Sequence, residues 1–98
     1  MIWRLLQHPD QMTLVQNDRS LIANAVEESL RYDAPVHGLF RTNIEETELH
    51  GVTLPKDSKV MCNFFSANMD PEAWDAPEKF DITRDLTALK KHLSLIHI

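Results

Sequence analysis

The chain has 98 residues, 43% of them apolar and 26% charged, with a formal net charge of −5. This composition fits one small folded unit and excludes a disordered chain, which would need fewer apolar residues. No apolar run approaches the roughly 20 residues that cross a bilayer, so membrane insertion is not expected. Ten Lys and Arg against fifteen Asp and Glu offer no basic block for nucleic acid. A single cysteine, Cys62, cannot form an internal disulfide, which favours a reducing, cytoplasmic setting.

The first half of the chain predicts two helices. Segment 9–17 opens with a proline suited to a first helical turn and has apolar residues three positions apart. Either Asp18 or Ser20 can cap a second helix, which ends near Tyr32 or Asp33 because a proline follows closely. The second helix has one apolar stripe, and its opposite side carries polar residues: Asn24, Glu27, Glu28 and Arg31.

The second half predicts short strands and an irregular end. Segment 36–42 is extended, two short strands meet at a turn at His50, and segment 59–65 is a third strand apolar enough to be mostly buried. One helical turn is predicted over 68–74, capped by an aspartate, and irregular coil over 78–84. Together these elements predict an α+β fold. Because long loops are uncommon in compact domains, we expect this irregular end to need a packing partner beyond these residues.

Glu28 and Arg31 lie three residues apart, so on a helix they share one face and can pair. Alone, this spacing is typical of a solvated helix face and contributes only ~0.2–0.5 kcal/mol. The surrounding sequence is more specific, because four segments follow in order: Glu27-Glu-Ser-Leu-Arg-Tyr-Asp-Ala-Pro35, Phe40-Arg41-Thr42, Ala67-Asn-Met-Asp-Pro71 and Pro77-Glu-Lys-Phe80. As an ordered set they resemble the C-terminal part of a soluble bacterial cytochrome P450.

The resemblance covers the chain from about Leu5 to Ser94 and implies a fragment of the mainly α-helical P450 fold. Residues 1–94 are then part of one P450 domain, beginning after the oxygen-binding helix of the family. The family continues into a Phe-Gly loop with the iron-ligating cysteine, and that motif is not found in this sequence. Residues 95–98 look foreign to the family, and we expect them to be a non-native or truncated tail.

The resemblance also implies roles for individual residues. In the family, the matches of Glu28 and Arg31 form a buried network with an Arg at the position of Lys79, and Lys lacks the planar fork of that Arg. Arg41 matches an Arg that reaches a haem propionate; the alternative for it is a solvated strand residue. Residues that match the lining of the family's substrate pocket lie just before it: Val36, His37, Leu39 and Phe40.

By this resemblance the complete protein is a haem-thiolate monooxygenase that inserts one oxygen atom of O₂ into an apolar organic substrate. It implies haem (heme) as cofactor and a ferredoxin or flavin reductase as electron donor, and the fragment alone is expected to be inactive. Cys62, predicted to be a buried strand residue, is no substitute for the iron ligand. The alternative is a stand-alone α+β binding protein in which Glu28 and Arg31 form a surface pair. No metal site is predicted, because the histidines and acids lack ligand spacing.

Overall fold

In residues 1–94, which the computed structural model describes, five α-helices accompany two small antiparallel sheets. The helices are α1 (Ile2–Gln7), α2 (Pro9–Asn17), α3 (Ile22–Tyr32), α4 (Phe64–Asn68) and α5 (Leu86–Leu89), and the strands are β1 (Gly38–Thr42), β2 (Thr47–Leu49), β3 (Val52–Leu54) and β4 (Lys59–Asn63). This arrangement confirms the predicted α+β class. None of these helices has the length and apolar composition needed to cross a bilayer.

The two predicted helices are present as α2 and α3. Helix α2 covers the predicted range, and Asp18 then accepts a hydrogen bond from the Ser20 backbone N–H at 3.0 Å. That cap begins a short 3₁₀ turn at Arg19–Leu21, which leads directly into α3. Helix α3 ends at Tyr32, as the proline at position 35 predicts.

The strands form two separate two-stranded sheets. Strand β1 pairs with β4 from Gly38 opposite Asn63 to Thr42 opposite Lys59, and β2 pairs with β3. The β2–β3 turn was predicted, and its Gly51 has a φ of +78°, a conformation that glycine adopts at little cost.

The prediction for segment 59–65 is wrong in two respects. Strand β4 ends at Asn63, whose side chain accepts from the Ser66 N–H at 3.0 Å and so caps α4. Within β4 only Val60 is half-buried, and Cys62 is exposed instead of buried. A two-stranded sheet has no central strand, and within residues 1–94 nothing covers β4, so its apolar content does not lead to burial.

The irregular segment 69–85, here called the meander, follows α4. The predicted helical turn near its start is a hydrogen-bonded turn and no α-helix, but Asp70 caps it as predicted, accepting from the Glu72 N–H at 2.9 Å. The coil predicted over 78–84 is confirmed. Helix α5 was not predicted; Asp85 caps it by accepting from the Thr87 N–H at 3.1 Å.

Helix α3 turns its polar side inward, so Glu28 and Arg31 do not form the solvated helix face that their spacing alone suggests. Glu28 and Arg31 are both fully buried, whereas Ile22 and Val26 of the apolar stripe are 43% and 38% exposed. Only Ala25 of the stripe is fully buried. The reason is that the meander attaches to α3 mainly through hydrogen bonds, which require polar side chains on the facing side of the helix.

A small apolar core and two amide side chains complete the attachment of the meander. The core joins α1, α3 and the meander and consists of Leu5, Ala25, Phe80 and Ile82. Beside it, the Gln11 amide of α2 donates to the Phe80 carbonyl and accepts from the Ile82 N–H at 2.9 Å. Asn24 of α3 donates to the Arg84 carbonyl at 2.8 Å. The meander is therefore fixed without regular secondary structure of its own.

An ion pair joins α1 to the end of α3. Arg4 donates from Nε to Asp33 Oδ2 at 2.5 Å and from Nη2 to Oδ1 at 2.8 Å. The same guanidinium lies 4.8 Å from the centroid of the Tyr32 ring. The hydrogen bonds from Arg4 hold the pKa of the Asp33 carboxyl below its usual value, outweighing its partial burial, which acts in the opposite direction.

The Arg4–Asp33 pair predicts a specific pH dependence. Because the folded-state pKa of Asp33 is lowered, the pair contributes fully above the ordinary Asp pKa of about 4 and is lost as the pH falls through the lowered value. The Asp33 side chain is 42% exposed, so solvent screening limits this contribution to about 0.2–1 kcal/mol. Urea unfolding between neutral pH and about pH 2 should show a steeper acid loss for the wild type than for Asp33→Asn. Identical pH profiles would contradict this assignment.

Candidate functional site

The centre of the candidate site is a bidentate ion pair between two side chains of α3. Arg31 donates from Nε to Glu28 Oε2 and from Nη2 to Glu28 Oε1, both at 2.7 Å. Both side chains are completely buried. The i, i+3 spacing on the helix brings them together, as the sequence predicts, but the pair lies in the interior and is not a surface pair.

The Arg31 guanidinium also binds the backbone of α4 and of the meander. Its Nη1 donates to the carbonyls of Asn68 and Pro77, both at 2.9 Å, and its Nη2 donates to the Lys79 carbonyl at 3.0 Å. With the two bonds to Glu28, all five N–H donors of the guanidinium have an acceptor. Lysine could not replace it, because an ammonium has three donors and no planar fork.

Arg84 is a second guanidinium in this network, and sequence reasoning did not assign it. Its Nε donates to Glu28 Oε1 at 3.2 Å, and its other nitrogens donate to the carbonyls of Asp75, Ala76 and Lys79. Glu28 Oε1 additionally accepts the Asp81 N–H at 2.9 Å. The only available signal was a second basic residue four positions after Phe80, which ends the segment that the resemblance had already singled out.

Lys79 enters the network differently from the sequence expectation. Its side chain is exposed, and its contribution is the backbone carbonyl, which accepts from Arg31 and from Arg84, both at 3.0 Å. The charge expected from the Lys79 ammonium comes from Arg84 instead. The physical reason is that six N–H donors of Arg31 and Arg84 need backbone acceptors here, and another ammonium would add positive charge beside two guanidiniums.

The network joins the helical part of the chain to the meander. One buried carboxylate faces two guanidiniums, and the remaining N–H groups are satisfied by carbonyls, which offsets the high cost of removing these charges from water. The Arg31 guanidinium also lies 5.3 Å from the centroid of the Trp74 ring. Such an arrangement holds the backbone in place; it has no free acid, base or nucleophile for catalysis.

Arg41 lies on β1 and takes no part in this network within residues 1–94. Its side chain is exposed, and its Nη1 donates to the Phe40 carbonyl at 3.0 Å. By strand alternation Arg41 shares a face with Leu39 of β1 and with their β4 partners Val60 and Cys62. The remaining guanidinium donors suit a carboxylate such as a haem propionate, so the donor chemistry fits the group that the resemblance implies.

The predicted pocket-lining residues lie at and just before the start of β1. Val36 and Leu39 are half-buried, whereas His37 and Phe40 are exposed, the latter by 66%. The His37 ring contacts the Phe65 ring of α4 at a centroid distance of 6.0 Å. All four residues lie within five positions of Arg41 in the sequence, and residues 1–94 leave His37 and Phe40 exposed.

The comparisons with known proteins identify the family. The family model for cytochrome P450 matches residues 6–94. This chain therefore belongs to the cytochrome P450 family, as the order of its motifs predicts.

Three relatives illustrate the match. The chain is 47% identical over 90 residues to 6-deoxyerythronolide B hydroxylase of Saccharopolyspora erythraea, covering 92% of the chain and 22% of that protein. It is 44% identical over 82 residues to a steroid C26-monooxygenase of Mycobacterium tuberculosis, covering 84% and 22%. Its structure matches the P450 heme domain of Tepidiphilus thermophilus with a TM-score of 0.84 and 40% identity, covering 94% and 22%. The chain thus spans about a fifth of the length of these relatives.

Substitutions at different residues of the network should lower the free energy of unfolding by different amounts. Glu28→Ala leaves two guanidiniums without their carboxylate and should lower the free energy of unfolding by about 3–5 kcal/mol. Lys79→Ala keeps the backbone carbonyl and should change it by less than about 0.5 kcal/mol. Urea unfolding of the chain measures both values, and soluble yield replaces it for a variant that does not fold. A loss for Lys79→Ala as large as that for Glu28→Ala would mean that the lysine ammonium carries the network.

Proposed function

We propose that this chain is part of a haem-thiolate monooxygenase, which in complete form inserts one oxygen atom of O₂ into an apolar organic substrate. The observation that carries this proposal is the buried network in which Glu28, Arg31 and Arg84 join α3 to the meander, in a chain of the P450 family. The names of two relatives, a hydroxylase and a steroid monooxygenase, support the same class of reaction. In this proposal residues 1–94 are one part of a larger P450 domain.

In the proposed enzyme this part of the chain has a holding role. Haem with a thiolate ligand supplies the oxygen-activating iron when it is bound. Glu28, Arg31 and Arg84 fix the meander against α3, and the cost of breaking a buried pair makes that geometry rigid. Arg41 binds a haem propionate through a charge-assisted hydrogen bond. Exposed Cys62 lies on β4 and is not the iron ligand.

The remaining features belong to the complete enzyme. Val36, His37, Leu39 and Phe40 contact the substrate, which their partly apolar character suits. A ferredoxin or flavin reductase donates the electrons, and the enzyme works in the cytoplasm without membrane or nucleic acid as partner. Large apolar side chains that stay exposed in residues 1–94 support a larger domain, among them Trp3 at 66% and Leu6 at 64%.

The alternative of a stand-alone binding protein has less support. It required Glu28 and Arg31 to be a surface pair, and both are completely buried. It also required a domain that covers its own apolar residues, whereas Trp3, Leu6 and Phe40 are each exposed by more than 60%. We therefore retain the P450 proposal alone.

A chimera tests the proposal through Arg41. Residues 1–94 replace the matching segment of the S. erythraea hydroxylase, and the purified protein is followed for haem loss to an acceptor protein. We expect the unsubstituted chimera to retain haem, Arg41→Leu to release it fastest, and Arg41→Lys to lie between them, because lysine keeps the charge but loses the fork.

Two matched variants serve as controls. Arg19→Leu removes an exposed Arg of the short 3₁₀ turn that follows α2 and should leave haem release unchanged. Cys62→Ser should leave the thiolate-type spectrum of the reduced carbon monoxide complex unchanged. Equal release rates for all Arg41 variants would remove Arg41 from the haem site. A chimera without haem, made beside an intact hydroxylase that incorporates it, would contradict the proposed function.

A further inference from the structure

The backbone of Leu93 is held by a buried amide side chain of α4. Asn68 Nδ2 donates to the Leu93 carbonyl at 2.9 Å, and the Leu93 N–H donates to Asn68 Oδ1 at 2.7 Å. Asn68, which forms both hydrogen bonds, is only 1% exposed. Two hydrogen bonds to one residue fix its position and its orientation together, as pairing in a β-sheet does.

His92, the preceding residue, is held by α3. Its Nε2 lies 2.6 Å from Glu27 Oε2, and because a carboxylate only accepts, Nε2 carries the hydrogen of this bond. The His92 residue is 3% exposed and the Glu27 side chain 13%. This contact places the Glu27 side chain largely out of solvent. His92 is part of the interior.

Lys91 is also attached, so three consecutive residues are held by three different partners. The Lys91 ammonium donates to the Ala73 carbonyl and lies 4.6 Å from the centroid of the Trp74 ring. Segment 91–93 therefore contacts the meander through Lys91, α3 through His92 and α4 through Leu93.

These contacts are linked to the buried network and yet act on another part of the chain. Glu27 and Glu28 are neighbours on α3, but they hold different segments. Glu28 accepts hydrogen bonds from residues 81 and 84, whereas Glu27 forms its hydrogen bond with residue 92. Asn68 likewise gives its carbonyl to Arg31 at 2.9 Å and its side-chain amide to Leu93. Helix α3 and the end of α4 thus present two separate sets of hydrogen-bonding groups to two separate segments.

We propose that Glu27, Asn68 and His92 form a second anchor, which fixes residues 92 and 93 and so positions the chain that follows them. In the proposed monooxygenase that following chain is the haem-ligating loop, so this part of the inference rests on the proposed function. The three side chains are positioning residues: they act through the backbone of residues 92 and 93. The Glu28 network fixes the position of the meander against α3. The second anchor fixes the direction in which the chain continues beyond the meander.

Amide hydrogen exchange on the 98-residue chain tests the anchor itself. Asn68→Leu removes both bonds to Leu93, so exchange of the Leu93 N–H should accelerate by at least roughly tenfold. Exchange of the Ile82 N–H, which is held by Gln11, should stay unchanged and reports on the rest of the fold. Asn17→Leu, at an exposed position of α2, is the matched control. Unchanged exchange at Leu93 in Asn68→Leu would overturn the anchor.

The chimera with the hydroxylase tests the consequence for the haem-ligating loop. The readout is the fraction of bound haem that gives the red-shifted Soret band of thiolate ligation in the reduced carbon monoxide complex, measured at equal haem content. Glu27→Leu and His92→Leu should lower this fraction several-fold, and His92→Gln, which keeps an N–H donor of similar reach, should restore part of it. Glu46→Leu, at an exposed position between β1 and β2, should change nothing.

The outcomes separate the two proposals. A chimera that incorporates haem normally and whose anchor variants all keep the thiolate fraction would overturn the positioning role, while leaving the proposed function intact. A chimera that incorporates no haem contradicts the proposed function, and the exchange measurement on the 98-residue chain then decides the anchor alone. Equal loss in His92→Leu and His92→Gln would mean that the histidine acts by filling space, which also contradicts the anchor.

Discussion

A buried carboxylate must be both neutralised and fully hydrogen-bonded, and Glu28 meets this requirement by joining α3 to the meander. Two guanidiniums and one backbone N–H converge on its oxygens. The carbonyls that satisfy the rest of Arg31 belong to α4 and to the meander, so these backbones cannot move without leaving a buried donor unpaired. One carboxylate side chain of a helix thereby holds a large part of an irregular segment in place.

The same kind of interaction recurs along the whole irregular part of the chain. Gln11 binds the backbone at residues 80 and 82, Asn24 binds Arg84, and Asn68 binds Leu93. In each case a side chain from a helix takes the place of a neighbouring strand and satisfies backbone groups that have no partner in a sheet. Because these attachments rely on hydrogen bonds, they bury few apolar side chains. Helix α3 can therefore turn its polar side inward and leave Val26 exposed.

Local signals in the sequence predicted the elements that depend on local interactions. The proline at position 9, the Asp18 cap and the turn at Gly51 each act within a few residues, and α2, α3 and the β2–β3 hairpin formed where expected. The bond between Arg84 and Glu28 spans 56 residues and that between His92 and Glu27 spans 65, and no local pattern encodes such distances. The burial of β4 was predicted wrongly because apolar content alone does not reveal whether another layer covers a strand.

Native-state hydrogen exchange at the Asp81 amide measures the central claim most directly. This N–H donates to Glu28 Oε1 at 2.9 Å, although it lies in a segment without regular secondary structure. If the buried carboxylate holds the meander, the Asp81 amide exchanges only through global unfolding, with the same free energy as the central amides of α3. Exchange at Asp81 as fast as at Gly51 in the exposed β2–β3 turn would show that the meander opens independently, and would contradict the account.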